Sequence, residues 1–106
     1  MRITITARHC ELPAELRART RTLVERLARV APRPQDARVV FDADHGRPTV
    51  EVRLHAARGV LHVGTARGTD QSTALNLAVA KVRRQLDKSP VRRRAAIRRA
   101  AGRRPS

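Results

Sequence analysis

Three cationic side chains recur at helical spacing near the end of the second helical segment of the sequence. Lys81, Arg84 and Lys88 are separated by three and four residues, so a helix would place them on one face, about 10 Å from end to end. Such a row can neutralise neighbouring phosphates of a folded RNA. The alternative is an ordinary solvated helix face. Asp87 is the only acid in this half of the helix, which favours phosphate binding.

The C-terminal segment concentrates charge further. Residues 91–106 contain seven arginines, among them Arg92, Arg93 and Arg94, and no acid. The whole chain carries 24 Lys and Arg against 9 Asp and Glu, a formal net charge of +15 at pH 7. Because like charges repel in a compact fold, this excess favours a polyanionic partner. We expect residues 91–106 to be a disordered basic tail that adds salt-dependent RNA affinity; the alternative is a tail that only aids solubility.

Aromatic side chains are almost absent from this basic chain. Phe41 is the single Phe, and there is no Trp or Tyr. Proteins that read unpaired bases stack them on aromatic rings. The composition therefore favours recognition of the phosphates and shape of structured RNA.

Residue types suited to metal binding or catalysis do not form a recognisable set. His9 and Cys10 are adjacent, but neighbours in an extended chain point in opposite directions, and no second Cys completes a ligand set. No nucleophile elbow or phosphate-binding glycine loop is present. We predict no metal, no cofactor and no enzymatic activity. His55 and His62 are expected across a hairpin, on the sheet face away from the helices.

The elements that would position the cations follow from hydrophobic periodicity. Alternation over residues 2–7 predicts a strand, and residues 12–31 predict a helix with one apolar stripe. That stripe comprises Leu16, Thr20, Leu23, Leu27 and Val30. Arg17 and Arg21 lie off the stripe and, with Arg8 and His9, are further candidate RNA contacts.

Three more strands and a second helix complete the predicted fold. The strands are predicted at residues 38–42, 49–56 and 60–66, and Asp70 is a plausible cap for a helix that ends before Ser89. The core stripe of this helix comprises Leu75, Val79, Val82 and Leu86, flanked by Ala74 and Ala78. The order β-α-β-β-β-α predicts one α+β domain over residues 1–90, with both helices packed on one face of a four-stranded sheet. The first strand should pair in parallel with the second, because a helix crossover connects them.

The same composition favours a cytoplasmic protein. No apolar run approaches the roughly 20 residues of a membrane span, so no membrane partner is expected. The single cysteine cannot form an internal disulfide, which is typical of the reducing cytosol.

Two stretches of the sequence resemble the ribosome hibernation-promoting factors, also called the ribosome-associated inhibitor or sigma-54 modulation family. The first runs from Arg2 to His9 and continues through Glu11-Leu12 and Leu16-Arg17. The second comprises Asp70, Ala74-Leu75-Asn76 and the segment from Lys81 to Lys88. The resemblance covers about residues 1–90 and implies a fold similar to a double-stranded-RNA-binding domain.

The resemblance also implies a function and a set of contacts. Members of this family bind the small ribosomal subunit in the channel used by messenger and transfer RNA, and so block translation in idle cells. Lys81, Arg84 and Lys88 match positions that contact ribosomal RNA, and Arg8 and His9 lie near a matched segment. The extra dimerisation domain of long members is absent, so we expect a monomer on the ribosome, and pairing of ribosomes would need a second hibernation factor or a separate surface. The alternative is a general double-stranded-RNA-binding or nucleic-acid-binding protein.

Overall fold

A computed structural model of the chain describes residues 1–88. Its order and fold class are those predicted, β-α-β-β-β-α with two helices and one sheet. The elements are β1 (Arg2–Ala7), α1 (Ala14–Val30), β2 (Asp36–Asp44), β3 (Arg47–His55), a short 3-10 helix (Ala57–Gly59), β4 (Leu61–Arg67) and α2 (Gln71–Asp87). β2 extends two residues beyond the predicted strand at each end.

The four strands form one sheet in the order β1-β2-β3-β4. β1 is parallel to β2, with Ile5 opposite Val39, and this confirms the pairing predicted for the first strand. The other two pairings are antiparallel. Phe41, the only aromatic side chain besides the histidines, is fully buried in the core and so is not exposed for stacking on a base.

Helix α1 packs through a stripe that differs from the predicted one at Leu23. Leu16, Thr20, Val24 and Leu27 are its buried residues, whereas Leu23 and Val30 are only partly buried. Steps of four, four and three keep the stripe on one side of the helix, and Leu23 falls at its margin. The buried Thr20 hydroxyl donates a hydrogen bond to the Leu16 carbonyl at 2.7 Å, so its polar group is satisfied.

Helix α2 lies over β3 and β4 and begins as predicted. The Asp70 side chain accepts a hydrogen bond from the Thr73 backbone N–H at 2.7 Å, which caps the helix. That bond is the main reason why the pKa of Asp70 is lowered. Val79, predicted to be part of the core stripe, is only partly buried because Ala78 takes the central position.

The predicted placement of His62 on the outer sheet face is wrong. His62 is opposite Leu54 in the register, only 7% of it is exposed, and it faces the helices. Gly64 and Ala66 share its face, and at Gly64 α2 approaches β4 so closely that an added Cβ would lie 2.3 Å from the Ala78 carbonyl oxygen. The more apolar alternate set, Leu61 and Val63, faces outward instead. His55 is on the outer face, as predicted, and its partner across the hairpin is Leu61.

Candidate nucleic-acid interface

Positive charge in the fold is segregated to the helical layer. Helix α1 carries five Arg against two Glu, and every one of these arginines is exposed. Helix α2 adds Lys81, Arg83 and Arg84 against Asp87, and Lys88 follows directly. The four strands together carry five Arg against four acids. The helical side is therefore the electrostatically favourable surface for a polyanion.

The outer face of the sheet has the opposite character. All four strand acids lie on it, because they alternate with buried residues along β2 and β3. These acids are Asp36, Asp42, Asp44 and Glu51. Several already have partners on this face, as Asp44 has in Arg67 at 2.5 Å and Asp36 in the His55 ring at 2.9 Å. A phosphate backbone would meet both attraction and repulsion on this face.

Lys81, Arg84 and Lys88 form the first basic cluster, which we call the β4-side cluster. All three are exposed, and Lys81 lies beside β4, where its Nζ donates a hydrogen bond to the Thr65 carbonyl at 2.6 Å. Arg84 and Lys88 follow on the same flank by helical periodicity. Neither Arg84 nor Lys88 has a side-chain partner among residues 1–88, so their cationic groups are available to a ligand.

Helix α2 also closes the free edge of β4. Gln85 accepts a hydrogen bond from the Val63 N–H at 3.0 Å and donates one to the Val63 carbonyl. With the Lys81 bond to Thr65, three backbone groups of the edge strand are satisfied by helix side chains. An edge satisfied in this way is a poor template for another strand. Lys81 thus serves the fold as well as the proposed contact surface.

Arg17 and Arg21 form a second cluster on the opposite flank, which we call the β1-side cluster. The Arg17 guanidinium reaches the Ile5 carbonyl at 3.5 Å, which places it at the free edge of β1. Arg21 follows one turn later and is exposed. Because α1 and α2 lie side by side between these two edges, the β1-side and β4-side clusters are separated by the width of the helical layer.

A third row of arginines between the helices escaped the sequence-based prediction, and we call it the interhelical row. Arg19 donates a hydrogen bond to the Asn76 side chain at 2.7 Å and so joins the two helices. The strand directions make α1 and α2 parallel, so Arg26 and Arg83, each seven residues further along, lie about 10 Å away on the same facing flanks. Arg83 also pairs with Asp87 at 3.4 Å. The seven-residue spacing was readable in the sequence, but the flank on which each helix faces the other was not.

Arg8 and His9 lie at the end of β1, far from Lys88. The His9 backbone has φ 55°, and its Nδ1 is 3.0 Å from Asp42 Oδ1. That hydrogen bond, helped by one from the Ala43 N–H, lowers the pKa of Asp42. A 17-residue helix spans about 25 Å, so His9 and Lys88 lie near opposite ends of the domain.

The remaining predictions concern the C-terminal segment, metal binding and membrane insertion. Arg92, Arg93 and Arg94, with the proposed tail at residues 91–106 and the domain boundary at residue 90, lie outside the described residues. Within residues 1–88, no group of three or more His, Cys, Asp or Glu side chains is arranged to hold a metal ion. In the same range, neither helix has the length and apolar character needed to cross a bilayer.

Solved structures share this fold. A ribosomal subunit interface protein from Coxiella burnetii superposes with a TM-score of 0.71 at 21% identity, covering 83% of this chain and 96% of that one. The N-terminal domain of Thermus thermophilus Protein Y gives the same TM-score and identity, covering 83% of this chain and 98% of the domain. No curated protein matches the sequence.

A family comparison extends the likeness from fold to sequence. The family described as Sigma 54 modulation protein / S30EA ribosomal protein matches residues 3–94, which include both helices and, apart from Arg2 of β1, all four strands. The predicted resemblance is confirmed: the chain belongs to the Sigma 54 modulation protein / S30EA ribosomal protein family.

Proposed function

We propose that the chain is a ribosome hibernation factor of the cytoplasm that binds ribosomal RNA of the small subunit in the messenger and transfer RNA channel. It blocks translation by occupying that channel and performs no chemistry of its own. The observation that carries the proposal is the segregation of positive charge to the helical layer of a protein in this family. The related fold of a ribosomal subunit interface protein supports the same partner.

The distribution of the basic residues fits a large structured RNA. Arg and Lys side chains line both flanks of the helical layer and the seam between the helices, across a surface about 25 Å long. Since Phe41 is buried, affinity on this surface must come from phosphate contacts and shape. We propose that Lys81, Arg84, Lys88, Arg17 and Arg21 are contacts, and that residues 91–106 add salt-dependent affinity. A monomer binds each small subunit, and either a second hibernation factor or a separate surface of this chain takes part in any pairing of ribosomes.

Co-sedimentation with purified small subunits tests this proposal. The informative variant is Arg84→Glu with Lys88→Glu, because neither side chain has a structural partner in residues 1–88, whereas changing Lys81 would also disturb the β4 edge. We expect affinity to fall at least tenfold and the slope of log K against log salt to become shallower by about two, one per lost phosphate contact. In-vitro translation should be inhibited by the parent chain and much less by the variant.

A matched control changes the same charge on the other face of the molecule. Arg2→Glu with Arg47→Glu reverses two exposed cations on strands. If both pairs weaken binding equally, affinity depends on net charge alone and the helical surface is not the interface. Competition with bulk duplex RNA at near-physiological salt separates the alternative function, since a general double-stranded-RNA binder would be displaced from ribosomes by equal amounts of any duplex.

A further inference from the structure

Two arginines outside the helical layer adopt a backbone conformation that disfavours them. Arg33, in the loop after α1, has φ 47°, and Arg58, in the turn after β3, has φ 62°. Residues other than Gly, Asn and Asp rarely adopt this left-handed region, because Cβ crowds the backbone. Neither guanidinium forms a hydrogen bond or ion pair within residues 1–88. The fold therefore holds two unpaired cations in strained positions.

Backbone hydrogen bonds bring the two loops together. The Ala57 N–H donates to the Pro32 carbonyl at 3.0 Å, which links the turn that holds Arg58 to the loop that holds Arg33. The Gln35 N–H donates to the His55 carbonyl at 2.9 Å, which fixes the same loop to the end of β3. Both arginines consequently line one cavity, at the end of the domain where α1 and α2 terminate.

That cavity has the size and lining of a small-molecule site. Its volume is about 390 Å³, within the range of ligand pockets, and its walls include Pro32, Val60 and His62. His62 is 7% exposed, and burial lowers the pKa of its imidazole, although a hydrogen bond with Gln85 opposes the shift. The ring is therefore neutral near pH 7. Among residues 1–88, no Asp or Glu lines the cavity.

We propose that this cavity binds a nucleotide, with Arg33 and Arg58 on its phosphate and with its base against Pro32, Val60 and the ring of His62. Guanidinium groups match phosphate oxygens in geometry and remain charged at any physiological pH. Pro32 and the exposed Val60 offer apolar surface for the base, and the small exposed part of the His62 ring completes that wall of the cavity. The nucleotide is either a free nucleoside monophosphate or one residue of a bound RNA. The free form needs no ribosome, so the site stands independently of the proposed function.

Titration of the ¹⁵N-labelled full-length chain with AMP, followed by NMR, tests the site. We expect amide shifts concentrated in residues 32–35 and 57–62, with inorganic phosphate and adenosine each binding at least fivefold more weakly than AMP. The Arg33→Gly, Arg58→Gly double variant should bind AMP at least tenfold more weakly. Because glycine adopts positive φ freely, that variant should melt at the same temperature as the parent chain or higher, so loss of binding cannot be attributed to unfolding.

The control Arg2→Gln with Arg47→Gln removes the same charge from two side chains that do not line the cavity and should change AMP affinity less than twofold. The proposal is overturned if the glycine variant binds AMP like the parent chain, if the control loses as much affinity, or if the shifts lie elsewhere. Co-sedimentation with small subunits in the presence of excess AMP then distinguishes a free nucleotide from a nucleotide of bound RNA. If AMP displaces the chain from small subunits and the glycine variant binds subunits more weakly, the nucleotide is one residue of a bound RNA. If neither excess AMP nor the glycine substitutions change subunit binding, the nucleotide is a free one. Failure of all proteins to bind subunits would refute the proposed function and leave the AMP result standing.

Discussion

Replacing Gly64 with alanine should loosen the seam between α2 and β4 that positions the β4-side cluster. A Cβ added at Gly64 would lie 2.3 Å from the Ala78 carbonyl oxygen and 3.0 Å from Val82 Cγ2, whereas ordinary contacts begin at 3.4 Å. The Ala78 oxygen belongs to the helix backbone and cannot rotate away. Relief therefore requires α2 to move by about 1 Å, which opens its packing against the sheet.

The displacement of α2 sets the free energy of unfolding that the Gly64→Ala chain should lose. Overpacking of a tightly packed core costs about 1–3 kcal/mol, and the reduced freedom of the unfolded chain returns about 0.4–1 kcal/mol. We expect a net loss of about 1–2 kcal/mol. A domain of this size loses about 4–8 °C in Tm per kcal/mol, so the melting temperature should fall by about 5–15 °C.

Urea unfolding of the full-length chain, followed by far-UV circular dichroism, measures this loss. Circular dichroism is needed because the chain has no Trp or Tyr for fluorescence. Gly46→Ala is the matched control: Gly46 has φ +78° with no atom within 4 Å of the added Cβ, so it bears only a backbone cost of about 1–2 kcal/mol. Only Gly64→Ala should also weaken small-subunit binding, since Lys81 Cβ lies 3.1 Å from the added methyl group. A Gly64→Ala chain as stable as the parent would refute the close approach of α2 to β4.

Four further substitutions test the packing of α1, the β4 edge and the buried histidine. Val24→Ala should destabilise the fold by about 2 kcal/mol and Leu23→Ala by less than half of that, because Val24 is fully buried and Leu23 is not. Urea unfolding measures both losses. A larger loss for Leu23→Ala than for Val24→Ala would show that Leu23 belongs to the buried stripe, as the sequence predicted. Gln85→Leu should lower the free energy of unfolding by about 1–3 kcal/mol, because the Val63 N–H and carbonyl both lose their hydrogen-bond partner. The exposed strand edge should also increase self-association, measured by light scattering. A variant that stays monomeric and as stable as the parent chain would contradict this. Burial lowers the pKa of His62 below its ordinary value, so the unfolded chain binds the proton more readily, and stability should fall as the pH drops below about 6.5, the pKa of an unperturbed histidine. His62→Gln should remove part of that slope in unfolding titrations between pH 5 and 7.5; an unchanged slope would exclude His62 as its source.

Local patterns in the sequence were sufficient for the fold. The alternation of Ile3 and Ile5 with threonines predicts a strand, and Asp70 before an apolar stripe predicts a capped helix. The helix between the first two strands predicts that they pair in parallel. These features depend on residues close together in sequence. The choice between adjacent apolar residues was harder to predict, as with Val24 and Leu23 in α1. They lie only about 100° apart around the helix, so contact with the sheet decides which of them is buried.

The face of β4 was a harder case for a related reason. One alternate set of residues contains Leu61 and Val63 and the other contains His62 and Gly64, so hydrophobicity favours the wrong set for the core. The α2 backbone approaches β4 so closely that Gly64 must face the helix. This requirement depends on the distance between helix and sheet, which the sequence does not show. The interhelical row and the cavity of Arg33 and Arg58 were hidden for the same reason, since each joins residues from separate elements.

The two edge contacts bear on how the proposed surface would bind RNA. A lysine or arginine side chain carries up to about 2 kcal/mol of rotamer entropy, which is lost when it is fixed on a phosphate. Arg17 and Lys81 have already lost part of it, because each is held against a carbonyl at a sheet edge. An ammonium has three donors, so Lys81 keeps two for a phosphate after bonding Thr65. These two residues are therefore preorganised cations at the opposite margins of the helical layer, with the interhelical row between them. An RNA that satisfies all three at once must present phosphates across the full width of the layer, which favours the folded RNA of a ribosomal subunit over a single short duplex.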